Sequence, residues 1–220
     1  MARNIYKIDN ERVPSATTIL GLLNKPALVF WANQMGLDGI NTRNYVDDKA
    51  QIGTLTHKMV ECYCNGEEID YTNYEFDQFE TAEIAYAKWE TFIFQQKFKP
   101  IENETMLVSD AYRFGGQIDI YAELNGKKAL IDIKTCKSVH FEQFLQLSAY
   151  HHLLKESGRE VETIMICRIG RDKDEGFEIK EITLEQSKKL FEIFLSLLSI
   201  YNLKKHDLVK PLLYKPKQKS

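Results

Sequence analysis

The sequence has few cysteines, and their spacing fits neither a metal site nor a disulfide framework. The four cysteines lie at positions 62, 64, 136 and 167, and no Cys-x-x-Cys pair occurs. Cys62 and Cys64 are too close for an ordinary disulfide. We therefore expect reduced thiols, as in the cytosol.

Long apolar runs are also missing. No stretch approaches the roughly 18 residues of a membrane span, and the N-terminal residues contain no apolar signal segment. The nucleotide-binding pattern Gly-x-x-x-x-Gly-Lys-Ser/Thr does not occur either. We therefore expect a soluble cytoplasmic protein that makes no membrane contact and has no helicase motor of its own.

The composition supports a folded chain but does not indicate what it binds. A length of 220 residues suits one domain, and a hydrophobic content of 44% is enough for a core. The formal net charge of −3 is close to neutral. It neither indicates nor excludes nucleic-acid binding, because DNA binding depends on a local basic face rather than on the total charge.

The order of secondary-structure elements predicts an α/β (α+β) fold. Apolar spacing predicts helices at 16–23, 26–35, 46–64, 75–97, 141–156 and 184–203. Alternating or continuous apolar runs predict strands at 102–109, 115–124, 127–134, 161–169 and 177–182. The helix at 141–156 is long enough for a crossover, so we expect its two flanking strands to be parallel. The sheet is then mixed and central, and it is flanked by helices.

We expect a single domain over residues 1–209. It comprises a helical N-terminal part (13–98), a sheet core (100–183) and a C-terminal helix (184–205). Residues 210–220 are rich in lysine and proline and predict a basic, flexible tail.

The most informative segment is a predicted hairpin over residues 115–134. Asn125 and Gly126 separate two alternating segments, and this dipeptide favours a two-residue turn because both turn positions need positive φ. Such a turn fixes the register of the two strands. The prediction holds only if the loop contains two residues rather than three or five.

Counting outward from this turn places two carboxylates side by side. Asp119 faces Asp132, and Gln117 faces Lys134. Facing carboxylates repel each other, so we infer that they hold a divalent cation, with the lysine beside them. The period of two puts four isoleucines on the opposite face, at positions 118, 120, 131 and 133.

Other polar residues could join this site. Glu104 or its neighbour Glu102 could reach it from the preceding strand. His57 and Glu61 are four residues apart and share one face of a helix, and imidazole with carboxylate is ordinary ligation for a divalent ion.

A second helical pair has a different chemistry. Gln146 and Tyr150 also share one helical face. An amide beside a phenol can hold a phosphate or a nucleobase, although a polar stripe with the tyrosine packed on the sheet is an equal alternative.

Taken in order, these motifs resemble the PD-(D/E)XK nucleases. They are Gly-Thr-x-x-His57-x-x-x-Glu61, Glu104, Gly-Gly-x-Ile-Asp119, Asp132-Ile-Lys134 and Gln146-x-x-x-Tyr150. The resemblance is closest to the RecB-like branch, which includes Cas4 and many phage exonucleases. It spans about residues 13 to 170. Its N-terminal part, Val-Pro-Ser-Ala-Thr-Thr-Ile-Leu at 13–20, contains Ser15 and Thr17.

The resemblance implies a restriction-endonuclease-like core and a role for each matching residue. Asp119, Asp132, the Ile133 carbonyl and His57 would hold Mg²⁺ or Mn²⁺. Lys134 would be the catalytic lysine, with Glu104 as a further catalytic carboxylate. The DNA contacts would come from Gln146, Tyr150, Gln117, Glu61, Ser15 and Thr17. Cas4-type members also carry four cysteines for an iron–sulfur cluster, with a group near the C-terminus. That group is missing here, so we expect no cluster.

The expected function is metal-dependent DNA hydrolysis, by an exonuclease of phage or recombination and repair type. The expected location is the cytoplasm of a bacterium or of a phage-infected cell. DNA is the expected partner, together with a helicase, a recombinase or a single-strand-binding protein. Two alternatives remain open: a non-catalytic or structure-specific DNA-binding subunit of a recombination complex, and an endonuclease. The sequence does not indicate an oligomeric state.

Overall fold

The computed structural model describes residues 4–72, 74–171 and 174–206, together with 209 and 212. The helices are α1 (Ala16–Leu20), α2 (Pro26–Leu37), α3 (Thr42–Asn65), α4 (Phe76–Phe94), α5 (Phe141–Glu156) and α6 (Leu184–Lys205). The strands are β1 (Tyr6–Ile8), β2 (Glu11–Val13), β3 (Phe98–Ser109), β4 (Phe114–Leu124), β5 (Lys127–Thr135), β6 (Thr163–Ile169) and β7 (Phe177–Ile182).

The central sheet has five strands in the order β3-β4-β5-β6-β7. Only β5 and β6 are parallel within it, and α5 connects them as predicted. Helices α1, α5 and α6 cover one face with apolar side chains, and α3 and α4 cover the other. The predicted fold class is confirmed: it is a mixed sheet flanked by helices on both faces, as in a restriction-endonuclease-like core.

The hairpin turn between β4 and β5 has the predicted length. Asn125 and Gly126 adopt φ angles of 52° and 82°, and Leu124 pairs with Lys127. Positive φ at both positions matches the right-handed twist of the strands. The register of the two strands is therefore the predicted one from the turn outward.

An additional hairpin, β1–β2, was not predicted. Its strands have three residues each, and they join through Asp9 and Asn10, whose φ angles are also positive at 50° and 64°. The segment that follows it is held on β4, because the Gly115 N–H donates to the Pro14 carbonyl at 2.9 Å. This hairpin ends at the start of the segment expected to be helical, 13–98, which contains α1 to α4.

Ser15 is the N-cap of α1, since its hydroxyl accepts from the Thr18 N–H at 3.1 Å. The predicted tail, 210–220, lies outside the described residues except for Leu212. Within the described part of the chain, no helix combines the length and apolar character needed to cross a membrane.

Candidate metal centre

The two strands of the central hairpin separate where the acidic residues lie. The β4–β5 ladder runs from the turn to Ile120 and Ile131 and ends there. Beyond this pair, the Ile133 N–H donates to Asp119 Oδ2 at 2.7 Å, so a carboxylate takes the place of a backbone acceptor. Among the described residues, the predicted pairing of Asp119 with Asp132 is not part of the ladder, which ends one residue before it.

The neighbouring β3–β4 ladder is interrupted at the same level. Asn103 pairs with Ile120, and Thr105 pairs with Ile118. Glu104 and Asp119 lie between these two pairs, but they form no ladder pair within the described part of the chain. Glu104 adopts φ 47°, in the left-handed region that non-glycine residues rarely occupy. Both strands are therefore irregular where the two carboxylates meet.

This irregularity corrects one prediction about the isoleucines. Ile120, Ile131 and Ile133 share the apolar cluster formed with α3 and α4, as expected. Ile118 instead packs in the cluster on the opposite face, with α1, α5 and α6. The strict period of two fails between positions 118 and 120, because the backbone of β4 changes face at the site.

Helix α3 brings an imidazole to the two carboxylates. His57 Nδ1 lies 3.7 Å from Glu104 Oε1 and 3.8 Å from Asp119 Oδ1. The close approach of α3 to the end of β5 depends on Gly53, where a Cβ would lie 2.8 Å from Thr135 Oγ1. One ligand atom from each of His57, Glu104 and Asp119 lies within 4.8 Å of the others.

The second ring nitrogen of His57 fixes how the ring is presented. Nε2 lies 3.1 Å from the Ile133 carbonyl oxygen, to which a protonated Nε2 donates. In that tautomer the Nδ1 lone pair faces the carboxylates and is available to a cation. Burial alone would lower the pKa of His57, but Asp119 and Glu104 outweigh it, and the net shift is upward.

Asp132 and Lys134 form a buried ion pair beside this group. Lys134 Nζ lies 2.7 Å from Asp132 Oδ2, and the Asp132 side chain is 0% exposed. Burial raises the pKa of Asp132 to about 6, and the Asp119 charge adds to the increase, while Lys134 opposes it. For Lys134, burial lowers the pKa, but Asp132 and Asp119 outweigh it, so the lysine is an ammonium ion at neutral pH.

The residues present fit a divalent cation. Apart from the ion pair, the two oxygens of Asp132 have no hydrogen-bond partner among the described residues. Glu104 and Asp119 offer further oxygens, and His57 offers a nitrogen. Carboxylate oxygens with one imidazole are ordinary ligands for Mg²⁺ or Mn²⁺. Crowded carboxylates are costly without a counter-ion, and a cation would remove that cost.

A cleft of about 330 Å³ opens beside the candidate metal ligands Glu104 and Asp119. Its lining includes the following polar side chains: Tyr6, Ser15, Thr17, Glu104, Gln117 and Asp119. Two adjacent glycines shape one wall. A Cβ at Gly115 would lie 2.4 Å from the Tyr6 ring, and a Cβ at Gly116 would lie 2.5 Å from the Tyr150 ring. The Gly-Gly pair in the sequence therefore makes room for two tyrosines at the site.

Of the predicted amide and phenol pair, Tyr150 lines the cleft. Gln146 Nε2 donates to Tyr150 Oη at 2.7 Å, and Tyr150 is buried. Gln117 does not face Lys134 in a ladder pair. Its amide donates to the Glu104 carbonyl at 3.0 Å and accepts from Asn4. Asn4 and Tyr6 were missed as lining residues because the β1–β2 hairpin was not predicted.

Two acidic candidates point elsewhere. Glu61 pairs with Lys58 at 3.0 Å on its own helix and is not one of the three clustered metal-ligand candidates. Glu102 forms a bidentate ion pair with Arg159, whose Nε and Nη2 donate to the two carboxylate oxygens at 2.6 and 2.9 Å. Of the two glutamates on β3, Glu104 is therefore the one that reaches the site.

Structural comparison agrees with the fold. No protein-family model and no curated protein matches the sequence. A protein from Eubacterium rectale named "Putative exonuclease" superposes with a TM-score of 0.51 and 13% identity, over 79% of this chain and 77% of that one. The alkaline exonuclease LHK-Exo from Laribacter hongkongensis gives a TM-score of 0.35 and 13% identity, over 71% of this chain and 89% of that one.

At such identities the first likeness shows the fold alone, and the second is too weak to support an argument. The class that the topology defines is the restriction-endonuclease-like, PD-(D/E)XK-like fold. The assignment to the RecB-like and Cas4-related branch stays a prediction from the motifs.

Proposed function

We propose that this chain is a divalent-metal-dependent nuclease that hydrolyses DNA phosphodiester bonds, acting as an exonuclease. The observation that carries the proposal is the convergence of His57, Glu104 and Asp119 within 4.8 Å, beside the buried Asp132–Lys134 pair. Groups that are remote in sequence meet where two strand ladders are interrupted. A surface salt bridge would not need this arrangement.

The ligands of the proposed cation are His57, Glu104 and Asp119, with Asp132 and the Ile133 carbonyl next to them. A bound Mg²⁺ or Mn²⁺ would polarise the phosphate and lower the pKa of the attacking water. The His57 ring is held by its contact with the Ile133 carbonyl. That contact fixes the direction of Nδ1, as is usual for an imidazole that binds a metal.

Lys134 has an electrostatic role in this proposal. Burial lowers the pKa of Lys134, but Asp132 and Asp119 outweigh burial and raise it, so beside these free carboxylates the side chain is an ammonium ion. An ammonium group placed beside the phosphate stabilises the negative charge that grows on its oxygens. Asp132 keeps the ammonium in place through the 2.7 Å ion pair.

The cleft supplies polar groups for the DNA strand. Ser15 and Thr17 hydroxyls lie 2.9 Å apart at its edge, and Gln117 lies on its wall. Hydroxyl and amide groups of this kind contact phosphate and sugar. Gln146 and Tyr150 would position the strand from the opposite side.

The exonuclease assignment is supported by the name of the Eubacterium rectale neighbour, and nothing favours the endonuclease alternative over it. We extend the proposal to a phage or recombination and repair role in the cytoplasm, with DNA and a helicase, recombinase or single-strand-binding protein as partners. The non-catalytic alternative is disfavoured because every motif residue that chemistry requires is present.

Digestion of end-labelled DNA tests the proposal. Linear duplex, circular duplex and single strands are incubated with EDTA, Mg²⁺ or Mn²⁺. We expect metal-dependent degradation of linear DNA, intact circles, and a loss of at least about 100-fold with Asp119→Asn or Lys134→Met. Degradation of circles would show an endonuclease instead.

Matched controls come from the far end of the same sheet. Glu123 lies on β4 and Lys99 on β3, and they pair with each other at 3.2 Å. Glu123→Gln and Lys99→Met remove the same charges as the two test variants but should leave cleavage unchanged. Equal activity of Asp119→Asn, Lys134→Met and wild type would contradict the assignment.

A further inference from the structure

Helix α2 is an apolar helix without a covering layer. None of its twelve residues, all of which the structure describes, is buried. Val29, Phe30 and Leu37 are 70%, 77% and 74% exposed. Single exposed apolar residues are ordinary on protein surfaces, but a contiguous group of large ones marks an interaction site.

The apolar residues surround the helix. At 3.6 residues per turn, Val29, Phe30 and Leu37 fall within an arc of about 100° on one side, with Asn33 between them. The opposite side is apolar as well. A helix that is apolar on all sides is normally buried on all sides, and among the residues that the structure describes no element covers the outer side of α2.

Helix α2 offers no charged group to a phosphate. Residues 26–37 contain no aspartate, glutamate, lysine or arginine. Because lysine and arginine supply most of the affinity for the DNA backbone, the composition of α2 favours a protein partner over a nucleic acid. An uncharged, aromatic-rich surface instead fits the core of a protein–protein interface.

The exposed area matches the size of a stable protein interface. The start of α3 extends the apolar surface, since Tyr45 and Val46 are 37% and 49% exposed and the Tyr45 ring lies 6.0 Å from that of Trp31. At about 200 Å² for an aromatic side chain and about 150 Å² for an aliphatic one, Val29, Phe30, Leu37, Tyr45 and Val46 expose about 520 Å². Leu28, Trp31 and Ile40, which are 54%, 37% and 43% exposed, raise the total to about 740 Å². A standard interface buries about 800 Å² on each partner.

We propose that two copies of this chain associate through α2 and the first turns of α3. The two helices are joined by four residues, Asp38–Asn41. Two copies related by a two-fold axis would bring four helices together and cover the outer side of each α2. Asn33, the polar residue within the outer arc, would meet its equivalent and satisfy its amide there. This proposal does not depend on the nuclease activity.

Measurement of the mass in solution tests the proposal. Light scattering after gel filtration is carried out on the full chain at about 1 to 100 µM, a range that covers typical dimer affinities. We expect wild type at twice the 25.6 kDa chain mass. The double variant Val29→Asp/Phe30→Asp should have the mass of the monomer. Its far-ultraviolet circular dichroism spectrum should equal that of wild type. Phe94→Asp, at a 90% exposed phenylalanine on α4, is the matched control and should remain dimeric.

Two results would overturn the proposal. Wild type could have the monomer mass throughout the concentration range, or the double variant could keep the dimer mass. If wild type is monomeric and its DNA binding, measured by fluorescence anisotropy, is lost in the double variant, α2 is assigned to nucleic acid instead. A wild type that is dimeric but does not cleave DNA would contradict the nuclease proposal alone and support the dimer.

Discussion

Replacing Asp132 with asparagine should stabilise the metal-free protein, although it removes a residue of the proposed catalytic site. Burial raises the pKa of this carboxyl from 3.8 to about 6 in the folded protein, whereas in the unfolded chain it returns to about 3.9. The folded state therefore holds this proton to a higher pH. Asp132 therefore makes its full contribution to the free energy of unfolding below about pH 4, and this contribution is lost as the pH rises to about 6.

The magnitude follows from that difference. At 1.36 kcal/mol for each pH unit between the two pKa values, ionised Asp132 lowers the free energy of unfolding by about 3 kcal/mol at pH 8. Asparagine has the same shape as the neutral acid and avoids this cost. We expect Asp132→Asn to be more stable than wild type by about 3 kcal/mol at pH 8, and about equal to it near pH 4.

Urea denaturation in EDTA at both pH values measures the effect. The control is Asp38→Asn, at an exposed residue, which should stay within about 0.5 kcal/mol of wild type at either pH. Adding Mg²⁺ at pH 8 should raise the stability of wild type and much less that of the variant. A variant less stable than wild type at pH 8 would show that the ion pair with Lys134 is net stabilising. A gain that does not change with pH would refute the role of ionisation.

Three further substitutions test other parts of the structure. Gly116→Ala should destabilise the fold by about 1 to 3 kcal/mol in urea titrations, because its Cβ would lie 2.5 Å from the Tyr150 ring. Gly126→Ala should cost about 1 kcal/mol by the same measurement, because φ is 82° there. Burial lowers the pKa of His151 to about 4, so this residue alone should remove up to about 3 kcal/mol of stability as the pH falls from 6.5 to 4, opposite in sign to the contribution of Asp132. The measured quantity is therefore the difference between wild type and His151→Asn, which can keep the 2.8 Å bond to Ser187: the variant should become more stable relative to wild type as the pH falls, and a constant difference would contradict this origin.

The parts of the fold that could be predicted are those with strong local signals. The helix at 141–156 and the strand at 177–182 have the predicted bounds. The hairpin register follows from Asn125 and Gly126, because two residues with positive φ define the turn without any tertiary contact. In the β1–β2 hairpin, Asp9 and Asn10 carry a similar but weaker signal, and its strands are too short to show alternation.

The irregular backbone at the site could not be predicted from local preference. A glutamate at φ 47° is locally unfavourable, so nothing in the sequence around Glu104 indicates it. The surrounding sheet imposes that conformation, and the change of face at Ile118 accompanies it. Sequence motifs identified His57, Glu104 and Asp119 as candidates, but their order along the chain did not show that Glu102 would turn to Arg159 instead.

The way the strands supply the centre has a consequence for folding kinetics. Asp119, Asp132 and Lys134 lie on a hairpin closed by a two-residue turn, and such local contacts form early. His57 and Glu104 arrive from α3 and β3, so the complete set of ligands exists only once these elements have docked. We therefore expect a divalent cation to slow unfolding markedly and to change the refolding rate little, as holds for interactions absent from the transition state. Stopped-flow traces with and without Mg²⁺ would show an accelerated refolding phase if the ligands gathered earlier. A cation with this behaviour would set the lifetime of the native state rather than the speed with which the chain reaches it.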